Sequence, residues 1–152
     1  MSEHRASIRR KSEGDFAKGR FSREHTWSFD GGMTIAASSS PSAVPQPYSN
    51  PANVDPEEAF VAAISSCHML TFLAIAARKR LVVDAYDDHA VGVMAPGPTG
   101  RLAITQVTLH PTIVWNGPEP DAATIKRIHE VAHRECFIAN SVTTEITVAA
   151  ST

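Results

Sequence analysis

The chain has 152 residues, 43% of them hydrophobic and 20% charged, a composition that fits one soluble globular domain and excludes a disordered or collagen-like chain. Its 14 Lys and Arg against 16 Asp and Glu leave a net charge of −2, so there is no basic footprint for nucleic acid. Apolar runs are broken by Ser, His or Arg before the roughly 18 residues of a membrane span, and the charged opening MSEHRASIRRKSEG does not read as a signal peptide; the expected address is the cytoplasm, with no membrane partner.

In chain order, residues 1–15 are charged and aperiodic apart from a short strand expected around 6–11, and read as a flexible or edge-strand start to a single domain covering 1–152. Phe21, Arg23, His25, Trp27 and Phe29 alternate with Ser22, Glu24, Thr26 and Ser28, the period of two of a half-buried strand. Asp30-Gly31-Gly32 supplies a turn and residues 33–37 the returning strand of a hairpin. The run SSSPSAVPQPYSNPAN over 38–53 holds neither period and reads as an ordered loop or a flexible arm.

Asp55-Pro56-Glu57-Glu58 opens a helix expected over 56–80. Asp caps free amides, Pro fits the first helical position, and the two Glu complement the positive end of the dipole. Phe60, Ala63, Ile64, Cys67, Leu70, Ala74 and Ala77 form one stripe, while Val61, Leu73 and Ile75 lie elsewhere around the cylinder, the pattern of a helix wrapped by other elements. Strands are expected over 81–86, 89–94 and 102–115, with a Pro-Gly-Pro-Thr-Gly turn at 96–100. A second helix over 121–136 carries Ile125, Ile128, His129, Ala132 and Cys136 at helical spacing, and a strand over 141–148 follows. Hairpin, long helix, meander, helix, strand is an α+β order.

Two cysteines are too few for a disulfide-stapled secreted scaffold, and for each taken alone the plain expectation is a buried thiol. Their company raises the interest. Arg23 shares a strand face with Phe21, Trp27 and Phe29, and an Arg on an apolar face implies a partner; Arg20 falls on the opposite parity, toward solvent. Glu57 is one candidate partner, with a helix-dipole role as its plainer reading. Ten residues separate it from Cys67, about 15 Å along a helix, so a third group must bridge them. His129 and His133 at i, i+4, with Cys136, Cys67 and His68, offer a weakly patterned metal-ligand set lacking a CxxC pair. No nucleophile-elbow pattern and no glycine-rich phosphate loop is present.

The run Asp55-Pro56-Glu57-Glu58-Ala59-Phe60 through Ser65-Ser66-Cys67, the segment Cys136-Phe137-Ile138-Ala139-Asn140-Ser141-Val142 and the hairpin FSREHTWSFDGGMTIAASSS together resemble the OsmC/Ohr family of thiol peroxidases over most of 16–148. Two positions depart from the family pattern: His68 stands where many members have Phe, and Phe137 where many have Pro. The resemblance implies an α+β fold with antiparallel sheets around a long central helix in an intertwined homodimer. It implies reduction of organic hydroperoxides by Cys67, resolution by Cys136 through a disulfide, Arg23 as the cation that ionises Cys67 and Glu57 as its orienting carboxylate. No cofactor is implied beyond an external dithiol reductant, in the family often a lipoyl group. Two other readings stand beside this one: a metal- or small-molecule-binding module using Cys67, His68, His129, His133 and Cys136, and a structural dimer with inert thiols.

Overall fold

The computed structural model describes residues 1–149. The chain divides into two compact units, Met1–Ala59 and Phe60–Thr152. In the first, strands β1 (Ala6–Arg9), β2 (His25–Phe29) and β3 (Thr34–Ala37) form an antiparallel sheet in that order. The Asp30-Gly31-Gly32 turn is closed by the Phe29 amide donating to the Met33 carbonyl, with Gly32 at φ 91°, a conformation that favours glycine.

The strand expected from Phe21 begins only at His25. Ahead of it, the Arg23 amide donates to the Tyr48 carbonyl at 2.8 Å, and Phe21 stacks on Phe16 with Arg10 and Arg23 over its ring. The alternation at 21–24 therefore reflects cation–aromatic packing, not ladder pairing. The Ser/Pro-rich segment is an ordered loop. Ser38 Oγ accepts from the Asn50 amide, and the Glu24 carboxylate accepts from the Asn50 and Asn53 side chains. The Asn50 bond, followed by that from Ser22, holds the Glu24 carboxyl below its usual range.

Helix α1 (Pro56–Arg78) begins with a reciprocal cap: the Glu58 amide donates to Asp55 Oδ1 at 2.7 Å, and the Asp55 amide donates to Glu58 Oε2 at 3.2 Å. It ends two residues before the expected limit. Arg80 takes the left-handed conformation at φ 60°, and the Arg80 and Leu81 amides close back on the Ala77 and Ala76 carbonyls, a Schellman end without its usual glycine. By length and composition α1 is apolar enough to cross a membrane, which corrects the expectation that no stretch was. Two of its polar side chains are paired: Thr71 Oγ1 donates to the Cys67 carbonyl one turn back, and Ser65 Oγ donates to Asp88 Oδ2, 23 residues away.

From Phe60 onward, α1 packs on two sheets. Strands β4 (Val82–Asp88) and β7 (Pro111–Asn116) pair antiparallel; β5 (Val91–Pro96), β6 (Leu102–Leu109) and β8 (Glu145–Val148) form the other sheet in that order. The expected single strand over 102–115 is broken between Leu109 and Pro111. Asp88 Oδ1 takes the His110 amide, so the chain leaves one sheet and enters the other. β6 and β8 run parallel, a departure from an all-antiparallel arrangement.

Helix α2 (Ala122–Glu135) is capped by Asp121, whose side chain accepts the Thr124 amide, and closes on Cys136. Phe72, Ile75 and Ala76 of α1 meet Ile128 and Ala132 of α2 over the β4–β7 sheet; Ile64 meets Val107 and Leu109 of the other sheet. Gly92 of β5 lets that sheet approach α1: a Cβ there would stand 2.5 Å from Val61 Cγ2.

Candidate active site

Cys67 sits mid-way along α1 and is partly exposed, whereas Cys136 at the C-terminal boundary of α2 is 1% exposed. Their Sγ atoms lie 2.7 Å apart, the Cys136 thiol donating toward Cys67. Two sulfurs in such contact need little movement to reach the bonded separation of about 2.05 Å. Burial pushes the Cys136 thiol up, the contact with Cys67 adds to this, and the Ala139 amide, 3.4 Å from its sulfur, opposes it. Cys136 is therefore held as a thiol, a proton donor toward its neighbour.

One residue along α1, His68 Nε2 lies 3.0 Å from His129 Nδ1 of α2. The two rings are 9° from parallel, with centroids 5.3 Å apart, and Phe72 packs 4.4 Å from His129. Burial pulls both imidazoles down to about 4; for His68 the facing His129 and His133 add to this and Asp88 opposes it, and for His129 Asp88 opposes it. Both rings are neutral at pH 7. Burial likewise raises the Tyr86 phenol, whose oxygen is enclosed without a partner among the described residues.

Four of the five residues of the metal-ligand set form two pairs, Cys67 with Cys136 and His68 with His129, and His133 stands apart from both on the wall of a cleft. Among the described residues no group of three or more His, Cys, Asp or Glu is placed to hold a metal ion. A cleft of about 690 Å³ opens beside α2 and β8, lined by Ile125, His129, His133, Ile146 and Val148 among others, and neither cysteine is part of its wall.

In the N-terminal unit, Arg23 donates to the Gly19 and Phe21 carbonyls and lies 3.6 Å over the Phe21 ring. It precedes β2 instead of lying in it, so strand parity does not place it. Arg20 is exposed and paired with Asp15 at 3.0 Å. Among the described residues Glu57 Oε2 is buried without a hydrogen-bond partner, and no ion pair joins Glu57 to Arg23. Sequence reasoning did not anticipate the His68–His129 bond. Its signal was present in the seven-residue spacing of His129 and Cys136, which puts both on one face of α2, opposite the adjacent pair Cys67 and His68.

A family model described as OsmC-like protein matches residues 49–151. The chain belongs to the OsmC-like family. An OsmC-like protein of unknown function from Vibrio cholerae is 49% identical, with a TM-score of 0.95 over 98% of this chain and 99% of its own. The fold is shared with an organic hydroperoxide resistance protein OsmC from Legionella pneumophila (TM-score 0.71, 14% identity, 100% of this chain and 98% of that one). It is shared also with the organic hydroperoxide resistance protein OhrB of Bacillus subtilis (TM-score 0.64, 16% identity, 95% and 96%). A search among curated proteins finds no match. The α+β class expected from the sequence is the class of these structures.

Proposed function

We propose that this OsmC-like protein is a thiol peroxidase acting on organic hydroperoxides. The observation that carries the reading is the contact at 2.7 Å between a partly exposed sulfur on α1 and a buried one ending α2. The names of the Legionella and Bacillus proteins of the same fold support the substrate class. The thiolate of Cys67 attacks the peroxide oxygen; the O–O bond breaks, the alkoxide takes a proton and leaves as an alcohol, and Cys67 becomes a sulfenic acid. Cys136 then attacks that sulfur. Its thiol proton leaves with the sulfenic hydroxyl as water, and an S–S bond remains. An external dithiol, a lipoyl group being one candidate, restores both thiols by exchange.

A free cysteine is mostly protonated at neutral pH, so the attacking sulfur needs a cation. Arg23 supplies it and Glu57 orients the guanidinium through a bidentate pair. The absence of a carboxylate on Arg23 within the described chain supports completion of that pair by a second copy. The exposed small residues of α1, Ala62, Ala63, Ser66, Ala74 and Ala77, beside Leu70, support close approach of an identical helix in a two-fold homodimer. The protein acts in the cytoplasm, where a dithiol pool keeps it reduced.

Thiol counting after addition of an alkyl hydroperoxide tests the reading. The protein is expected to lose two thiols per chain and Cys136→Ser one, held as sulfenic acid, while Cys67→Ser loses none. Arg23→Ala is expected to slow the oxidation at least about 100-fold, the scale of losing one charge-stabilising group. Equal oxidation of Cys67→Ser and the parent protein would refute it.

A further inference from the structure

We propose that His68 and His129 are positioning residues, whose hydrogen bond fixes α2 across α1 at the register in which Cys136 faces Cys67 and so sets how readily the two sulfurs join. The inference rests on reading the two cysteines as a pair that forms a disulfide. Cys67 and His68 are neighbours on α1, whereas their partners are His129 within α2 and Cys136, the residue that caps its end seven positions later, about 10 Å along a helix. One contact leaves a helix free to pivot and roll on its neighbour. Two contacts at that separation fix both its angle and its rotation.

The chemistry of the pair is poorly suited to stability alone. Only one proton fits between Nε2 and Nδ1, so whichever ring donates, the pair keeps one N–H and one lone pair at His68 Nδ1 and His129 Nε2, both enclosed without a partner among the described residues. Unpaired buried polar atoms cost stability, and an apolar pair of similar volume avoids that cost. An imidazole pair offers direction instead. It is satisfied at one separation and one ring orientation, held here by Phe72 against the His129 face, whereas two aliphatic side chains slide past each other. The titratable groups acting on the pair are His133 of α2 and Asp88 of β4. Asp88 is itself held by Ser65 Oγ of α1 and the His110 amide.

The test needs no hydroperoxide. Reduced protein is equilibrated in glutathione buffers of graded ratio: the two protein thiols give two electrons to oxidised glutathione, one S–S bond forms between Cys67 and Cys136, and two reduced glutathione molecules leave. The equilibrium constant is the effective concentration of one sulfur toward the other. In the double variant H68L/H129L it is expected to fall about tenfold or more, a shift of about 30 mV for a two-electron couple, while the melting temperature of the reduced protein stays at or above that of the parent. In H68Q, whose amide reaches the place of Nε2, it is expected to stay within about threefold of the parent, the conservative variant restoring the bond. An unchanged constant in H68L/H129L, or a constant and melting temperature that fall together, overturns the positioning role alone. If that variant does not fold, H68F beside H68Q decides: a parental constant in H68F overturns the role, and a tenfold fall in H68F but not H68Q supports it. A parent protein that forms no intramolecular disulfide in any buffer overturns the reading of the cysteines, and this role with it.

Discussion

Two imidazoles at 1% and 7% exposure titrate unlike free histidines, and their effect on stability has a definite sign. In the unfolded chain both rings take protons below about 6.5; in the folded protein burial delays this to about 4. Between those values the unfolded state binds more protons, so stability is full above about pH 6.5 and falls as the pH drops toward 4. Each ring adds at most about 1.4 kcal/mol per pH unit. Glu24 and Asp121, whose carboxyls are held below their usual values by hydrogen bonds from Asn50 and Thr124, lose their contribution only below about pH 4.5. Urea midpoints are therefore expected to be level from pH 8 to 7 and to decline from pH 6.5 to 4.5, with a visibly flatter decline in H68L/H129L. Parallel profiles for the two proteins would place the acid sensitivity elsewhere. At this scale the sequence announced Cys67 and Cys136 through the residues around them. It offered His68 and His129 only within a metal-ligand set and not as a bonded pair, because a hydrogen bond between residues 61 positions apart exists only once α1 and α2 cross.

Elements were most legible where chemistry at their ends is local. Asp55-Pro56-Glu57-Glu58 signalled the start of α1, and the observed cap uses Asp55 and Glu58 as that spacing allows. Asp121 likewise begins α2. Errors arose where tertiary hydrogen bonds claimed the backbone, as at Arg23, or where one apolar run served two sheets, as at His110-Pro111. The end of α1 falls short of the expected limit, where no glycine marks it: Arg80 takes φ 60° although a side chain in the left-handed region costs about 1 kcal/mol or more. Replacing it with glycine removes that cost and keeps the closing bonds of the Ala77 and Ala76 carbonyls, which use backbone only. Arg80→Gly is expected to stabilise the protein by about 0.5–1 kcal/mol, offset in part by glycine's larger unfolded entropy. Chemical denaturation reads this directly, and a lowered midpoint would mean that the Arg80 side chain contributes more than its conformation costs.

At the scale of the molecule, the apolar surface left uncovered by one chain is the feature that composition could not show. Leu70 on α1 is 60% exposed and Phe137, directly after Cys136, 83% exposed; these flank the residues that carry the sulfurs. A helix apolar on all sides read from sequence as one wrapped by other elements, and in a single chain its stripe through Ala62, Ser66, Leu70, Ala74 and Ala77 remains partly bare. Covering that stripe with its own copy removes apolar area from water at roughly 25 cal/mol per Å². It also lets two helices rich in Ala approach closely. A charge at the centre of such a contact meets its own symmetry mate, so that repulsion adds to desolvation. Leu70→Arg is therefore expected to shift sedimentation at micromolar concentration from a two-chain to a one-chain species, while circular dichroism keeps the parental helix content because Leu70 is not in the core of its own chain. If Arg23 and Glu57 act across that contact, hydroperoxide-driven thiol loss falls in the same variant as strongly as in Arg23→Ala. A one-chain parent protein, or a two-chain variant, would detach the peroxidase reading from dimerisation through this helix face.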